Sequence, residues 1–402
     1  MMKRLWIAGL LGITLLTVTA APPQKAKRLD KAAMQGEINV QEKHKENLFS
    51  DKAVSATGVG VRKSDGKAVV KVYTNSLDAT NIPGSIDGVP VQVEYVGQIH
   101  ALKASVATRN NGNRYRKHKA NKRNNPDSTS RPMPEYVDQA GAIDRRVRFP
   151  RPVPIGVSAG HTGVTAGTLG CRVSQGCHAY ALSNNHVFAN ENDAQIGDAI
   201  LQPGKFDGGQ APVDTIGTLF DFVPLNFTQE CTIFTCNRID AALADVTSFA
   251  VGKATTAEGY GTPRSETIEP YLGMKVMKYG RTTGLRYGYI DALNAIIDVN
   301  YGTTSNTKYA RFIYQIIIKT AEDASYSDFS LGGDSGSLIV AADANYPAPD
   351  CINDPSPCSW DYPPLEDERK PVALLFAGGG GITVGNKIDD VLATFDVLID
   401  GE

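Results

Sequence analysis

The segment Leu331-Gly332-Gly333-Asp334-Ser335-Gly336-Ser337-Leu338-Ile339-Val340 sets a serine in a glycine-flanked turn directly before an apolar strand. Glycines on both sides let the backbone bend until amide hydrogens converge beside the serine. Donors placed in this way stabilise the oxyanion of acyl transfer by roughly 3 to 4 kcal/mol each, and Gly333 and Ser335 would supply them. The alternative is a glycine-rich β-turn with an idle serine. A nucleophilic serine needs a base, and the base needs an orienting acid. Beyond Cys171 the histidines are His178 and His186. His186 lies between apolar runs in Tyr180-Ala181-Leu182-Ser183-Asn184-Asn185-His186-Val187-Phe188, which suits a strand-to-loop junction facing a cleft; His178 follows Cys177 on a short loop. Asp240, in Asn237-Arg238-Ile239-Asp240-Ala241-Ala242-Leu243-Ala244, is framed by small and apolar side chains. A carboxylate buried there requires a hydrogen-bonding partner, and His186 can be that partner.

Around these motifs the chain from Arg151 onward reads as short strands between Gly, Pro and Asn turns, at 178–183, 215–225, 274–279, 287–297, 311–319, 337–341 and 372–377. Many short strands without intervening helical periods define an all-β sandwich or barrel. The C-terminus differs: Ile388, Val391, Leu392, Phe395, Leu398 and Ile399 recur at helical spacing, with Asn386 and Asp389 offering a capping signal.

These residues resemble the trypsin-like or chymotrypsin-like serine peptidase family. The His186 segment is similar to its histidine motif, Ile239-Asp240-Ala241-Ala242-Leu243 to its aspartate strand, and Gly333-Asp334-Ser335-Gly336 to its nucleophile turn. His186 and Asp240 lie 54 residues apart, and Asp240 and Ser335 lie 95 apart, in the family's order. Lys278-Tyr279-Gly280-Arg281-Thr282-Thr283-Gly284-Leu285 resembles a segment of bacterial secreted members. The resemblance implies a double β-barrel of chymotrypsin type, with His186 and Asp240 on the first barrel and Ser335 on the second. It also implies a serine endopeptidase acting on protein or peptide substrates without metal or organic cofactor. Phe329 and Ser330 would lie at the pocket for the residue before the cut, with Ala377, Gly378 and Gly379 as another wall. None is acidic, which points to an apolar or small residue there. Val187 stands where animal members carry a cysteine, and Ser337 where many carry glycine. No animal-type activation motif is recognisable, so Asp334 is expected to have a partner other than a new N-terminus. An esterase reading conflicts with the Gly333-x-Ser335-x-Ser337 turn and with the His, Asp, Ser order. A protease-like scaffold that binds without cleaving is the alternative from another class.

The chain of 402 residues opens with Lys3-Arg4, an apolar run from Leu5 to Val18 and Thr19-Ala20-Ala21, the order of a secretory signal cut after Ala20. An exported protein with no membrane anchor after signal removal is expected. A polar segment follows at 21–47, then a small α+β pro-region unit at 48–102, with strand candidates at Val69, Val70, Val72 and Tyr73 and at Val89, Val91, Val93 and Tyr95. A basic linker spans 103–150 and the peptidase domain 151–402. Only Tyr115 interleaves the linker's basic run, so no specific nucleic-acid role is expected. Arg145, Arg146 and Arg148 would suit a trypsin-like maturation enzyme. Residues 1–151 carry 26 Lys and Arg against 13 Asp and Glu, and the rest 15 against 30, a balance of +13 and −15. Opposite signs attract, so the N-terminal part is suited to dock on the C-terminal part as a pro-region; a solubilising tail is the other reading. Six cysteines fall into close pairs, Cys171 with Cys177, Cys231 with Cys236 and Cys351 with Cys358, expected as disulfides in an exported chain rather than as a metal site.

Overall fold

Ile38, Gln41 and Leu48 share one face of α1 (Gln35–Phe49), and all three are buried where the helix lies on the first strands of the chain. The computed structural model describes residues 28–79, 81–104, 142–303, 305–322, 324–343, 345–346 and 365–402. The expected signal at 1–20, the basic run at 109–123 and the Cys351/Cys358 pair lie outside the described residues. α1 lies on β1 (Val54–Val61) and β2 (Ala68–Thr74), and β3 (Ser85–Ile86), β4 (Val89–Tyr95) and the short β5 (His100–Ala101) follow in the chain. β1 and β2 pair antiparallel and β2 and β4 parallel.

The first barrel sheet contains β6 (Ser158–His161), β7 (Gly167–Thr168), β8 (Cys171–Gln175), β9 (His178–Ser183), β10 (Ala199–Leu201), β11 (Thr215–Phe222) and β12 (Ala242–Val246). A one-turn helix, α2 (Asn185–Phe188), follows β9. Val157, Leu169, Ala181, Phe188, Ile200, Leu219 and Ala244 fill this barrel. The second is a closed ring of β13 (Lys275–Gly280), β14 (Gly284–Asn300), β15 (Tyr309–Thr320), β16 (Leu338–Ala341), β17 (Pro371–Gly379) and β18 (Ile382–Lys387), sealed by the β13–β14 pairing. After it come α3 (Ile388–Phe395) and β19 (Leu398–Ile399). Leu182 and Leu243 of the first barrel meet Leu338 and Leu374 of the second, with Val391 of α3, in one buried cluster between the barrels.

β14 is 17 residues long and outruns the ring, and its spare edge pairs with β1 through Ala56↔Ile297 and Gly60↔Ala292. The N-terminal strands therefore continue the second barrel's sheet instead of standing apart. A buried ion pair ties the two: Lys71 Nζ lies 2.6 Å from Asp291 Oδ1, and the Tyr73 hydroxyl donates to Asp291 Oδ2 at 2.9 Å. The end of the expected linker is likewise attached. The Ser158 amide donates to Arg145 O, and Arg148 pairs with Asp214.

Three local expectations are corrected. Leu398 and Ile399 do not extend the terminal helix: Asp396 turns left-handed at φ 52°, and the two residues pair as β19 with Ser174 and Val173 of β8. Asn386 does not cap α3 either, because its side chain is engaged on Gln315 and on the Asp240 amide. The Cys171–Cys177 disulfide is also absent. Cys171 starts β8 opposite Leu182, whereas Cys177 sits in the turn at the far end of that hairpin. At about 3.3 Å per strand residue, the two lie well beyond the ~7 Å that a disulfide allows. Cys231 and Cys236 do form a disulfide.

Candidate active site

β9 and β12 pair with Ser183 opposite Ala242, which brings the loop after one strand beside the loop before the other. His186 in α2 and Asp240 thus face each other at the end of the first barrel, and Asn184 Nδ2 fixes the loops by donating to Asp240 O at 2.7 Å. His186 Nδ1 lies 2.6 Å from Asp240 Oδ2, and the His186 amide donates to Asp240 Oδ1 at 3.2 Å. Both side chains are fully buried. A neutral imidazole held this way donates from Nδ1 and keeps Nε2 as an acceptor. His186 Nε2 is buried and has no hydrogen-bond partner among the described residues.

Ser335 reaches the same seam from the second barrel. Its carbonyl accepts the Thr168 amide at 2.7 Å, and the next amide, Gly336 N, donates to Leu375 O at 2.8 Å. Gly336, at φ 92°, could carry no side chain, because a Cβ would stand 2.2 Å from Ser183 Oγ and 2.3 Å from Thr168 O. Gly333, at φ 98°, is bounded in the same way by Thr282 Oγ1 at 2.5 Å. The Ser335 hydroxyl donates to Phe376 O at 2.9 Å and not to His186.

Behind this turn lies the Lys278–Leu285 segment, whose role could not be read from spacing. Asp334 Oδ1 accepts the Thr282 and Thr283 amides at 2.8 and 3.1 Å, and Oδ2 accepts the Thr283 hydroxyl at 2.7 Å and the Leu331 amide at 3.0 Å. Lys278 Nζ lies 3.2 Å from Oδ2, both side chains fully buried. Burial alone would raise the Asp334 carboxyl, but Lys278 and these donors outweigh it and hold it below its usual range. Burial wins at Lys278, pushing it down to about 8 despite the pull of Asp334. Arg281 then bolts the segment to the first barrel by two 2.6 Å bonds to Asp207.

Two further residues escaped the sequence reading. Tyr301, at the end of β14, donates its hydroxyl to Asp240 Oδ2 at 2.6 Å, and burial followed by the neighbouring Asp240 raises its pKa so that it stays a donor. Asn386 accepts the Asp240 amide at 3.1 Å. Of the pocket residues, Phe329 is buried in the second barrel's core, while Ser330 Oγ lies 2.6 Å from Thr383 Oγ1. Ala377 and Gly378 are paired along β17 with Ala101 and His100 of β5, and a Cβ on Gly379 would stand 2.3 Å from Gln98 O. The chain's own residues 98–101 therefore run along the expected substrate wall. No cluster able to hold a metal occurs among the described residues.

The two barrels, the seam between them and the terminal helix define a chymotrypsin-like double β-barrel. No family model and no curated protein matches the chain. Solved structures do resemble it. Thermobifida fusca Protease A is 16% identical with a TM-score of 0.38, over 62% of this chain and 99% of that one. Cellulomonas bogoriensis chymotrypsin is 14% identical with a TM-score of 0.36, over 62% and 99%. Nocardiopsis protease is 14% identical with a TM-score of 0.37, over 61% and 98%.

Proposed function

We propose that the protein is a secreted serine endopeptidase made as a proenzyme, with His186, Asp240 and Ser335 as its triad. The observation that carries this reading is the 2.6 Å bond between buried His186 Nδ1 and Asp240, which leaves Nε2 without a partner among the described residues and so able to serve as a base. Ser335 Oγ attacks the scissile carbonyl while His186 Nε2 takes its proton. His186 then protonates the leaving amine, and water repeats the sequence on the acyl-enzyme. Asp240 fixes the tautomer and stabilises the imidazolium, and the Gly333 and Ser335 amides receive the oxyanion. Peptide strands lie along Ala377 to Gly379, with Phe329 and Ser330 at the pocket before the cut. The charge and apolar order of residues 1–20 and the Cys231–Cys236 disulfide support export; recovered exported protein should begin at Ala21 or later.

One observation favours a silent binding scaffold: the Ser335 hydroxyl is bonded to Phe376 O. Fluorophosphonate labelling decides between the two. Labelling and hydrolysis of a protein substrate, both lost in Ser335→Ala and in His186→Ala, support the peptidase. Folded protein that neither labels nor cleaves after removal of residues 1–104 supports the scaffold.

A further inference from the structure

Residues 98–104 run along β17 to the nucleophile turn, and their backbone contacts with Gly378, Ala377, Phe376 and Gly333 are ones that a substrate would make. Ahead of the turn, β5 pairs with β17 through His100↔Gly378 and Ala101↔Ala377. The Leu102 amide donates to Phe376 O at 3.1 Å, and the Leu102 carbonyl accepts the Gly333 amide at 2.6 Å. That amide is one of the two donors assigned to the oxyanion. Beyond Leu102, the Lys103 amide turns back onto Ala101 O at 2.9 Å, and the Ala104 amide donates to Ala166 O at 3.3 Å. The side chains are recognised as well. Leu102 packs against the apolar cluster that contains Phe329, its Cδ1 3.3 Å from where a Cβ of Gly378 would stand. The Lys103 ammonium pairs with Glu191, just beyond His186 in the chain, and donates to Tyr301 O at 2.7 Å. Ser335 itself is fully buried.

We infer that Leu102–Lys103 is a bond cut by this protein's own Ser335, and that its substrates carry a leucine-sized apolar residue before the bond and a basic residue after it. The inference rests on the peptidase reading above. In the step, the Ser335 hydroxyl swings from Phe376 O to His186 Nε2 and its oxygen bonds to the Leu102 carbonyl carbon. The serine proton passes to His186, and the carbonyl electron pair moves onto the oxygen held by Gly333. Collapse breaks the bond to the Lys103 nitrogen, which leaves with the proton from His186. Water then hydrolyses the Leu102 ester, giving a Leu102 carboxylate, a Lys103 amine and free Ser335. Until the swing occurs, Phe376 O holds both the Leu102 amide and the nucleophile, so the uncut chain is latent.

The test follows purified full-length protein by intact mass and N-terminal sequencing, beside its Ser335→Ala, Leu102→Asp and Leu102→Met variants. Wild type and Leu102→Met should yield a chain starting at Lys103, whereas Ser335→Ala and Leu102→Asp should not. An acetylated and amidated heptapeptide of residues 98–104 should be cut after its leucine, and its Leu-to-Asp form at least tenfold more slowly. Wild type that labels with fluorophosphonate and cleaves a protein substrate, yet leaves the heptapeptide and the 102–103 bond intact, overturns this inference alone. Absence of both labelling and cleavage overturns the peptidase reading with it. A new chain beginning at Lys103 in Ser335→Ala would assign the cut to another enzyme.

Discussion

The Asp240 carboxylate receives three donors from two separate parts of the chain: the ring and the amide of His186 and the hydroxyl of Tyr301. Hydrogen bonds to charged groups are each worth about 1.5 to 3 kcal/mol. Tyr301→Phe should therefore leave the fold intact but let the carboxylate and imidazole shift; kcat should fall about tenfold with KM little changed, as steady-state kinetics will show. Lys278 acts one step further back, on the nucleophile turn. Removing one partner of a buried pair typically costs about 3 to 5 kcal/mol, so Lys278→Met should lower the urea midpoint markedly. The sign of its pH dependence follows from burial. Lys278 titrates near 8 when folded and near its ordinary 10.5 when unfolded, so between those values the unfolded chain binds more protons. Its contribution to stability then grows as pH rises through that window. The gap in urea midpoint between wild type and Lys278→Met should widen from about pH 7.5 to about pH 9.5, and a narrowing gap would refute the assignment. Neither contact was legible in sequence, since a tyrosine 61 positions from Asp240 and a lysine 56 from Asp334 carry no local signal of their partners.

At the scale of elements, alternation and glycine punctuation revealed five of the six strands of the second barrel, but only β9 and β11 of the first, whose short β6, β7, β8, β10 and β12 carry little periodic signal. β9 runs from His178 to Ser183 as its pattern requires, and β2 and β4 fall on their valine runs. What periodicity misses is where tertiary contacts override it. Leu398 and Ile399 fit a helix by spacing, yet β8 offers an unpaired edge that they fill. Cysteine spacing misled for a related reason, since Cys171 and Cys177 are near in sequence but Cys171 opens β8 and Cys177 lies in the turn beyond its far end. The attachment of β1 to β14 was equally invisible, and it depends on a buried charge. Asp291→Ala would leave Lys71 buried without its counter-charge and Tyr73 without its acceptor. The expected loss is about 3 to 5 kcal/mol, readable by urea unfolding. Lys71→Met combined with Asp291→Leu should recover much of it, because an apolar pair need not be desolvated as ions.

Over the whole molecule, the opposite charge of the two parts of the sequence becomes a set of directed contacts. Arg28 pairs with Asp367, Lys63 with Glu322, Lys71 with Asp291 and Lys103 with Glu191, a cation from the N-terminal part on an anion from the C-terminal part each time. Long-range attraction alone would make that association strongly sensitive to salt, since charges separated by more than about 8 Å are largely screened at physiological ionic strength. The structure gives the contact a different basis. The β1–β14 ladder and the buried Lys71–Asp291 pair are shielded from ions, and only the outer pairs, such as Lys63–Glu322, are open to screening. A chain cut after Leu102 should therefore stay in two associated pieces. Size-exclusion chromatography of the cut protein should show both pieces in one peak at about 0.1 M and at about 1 M NaCl, with separation requiring urea. Separation by salt alone would mean that surface charge, and not the shared sheet, holds the N-terminal strands in place.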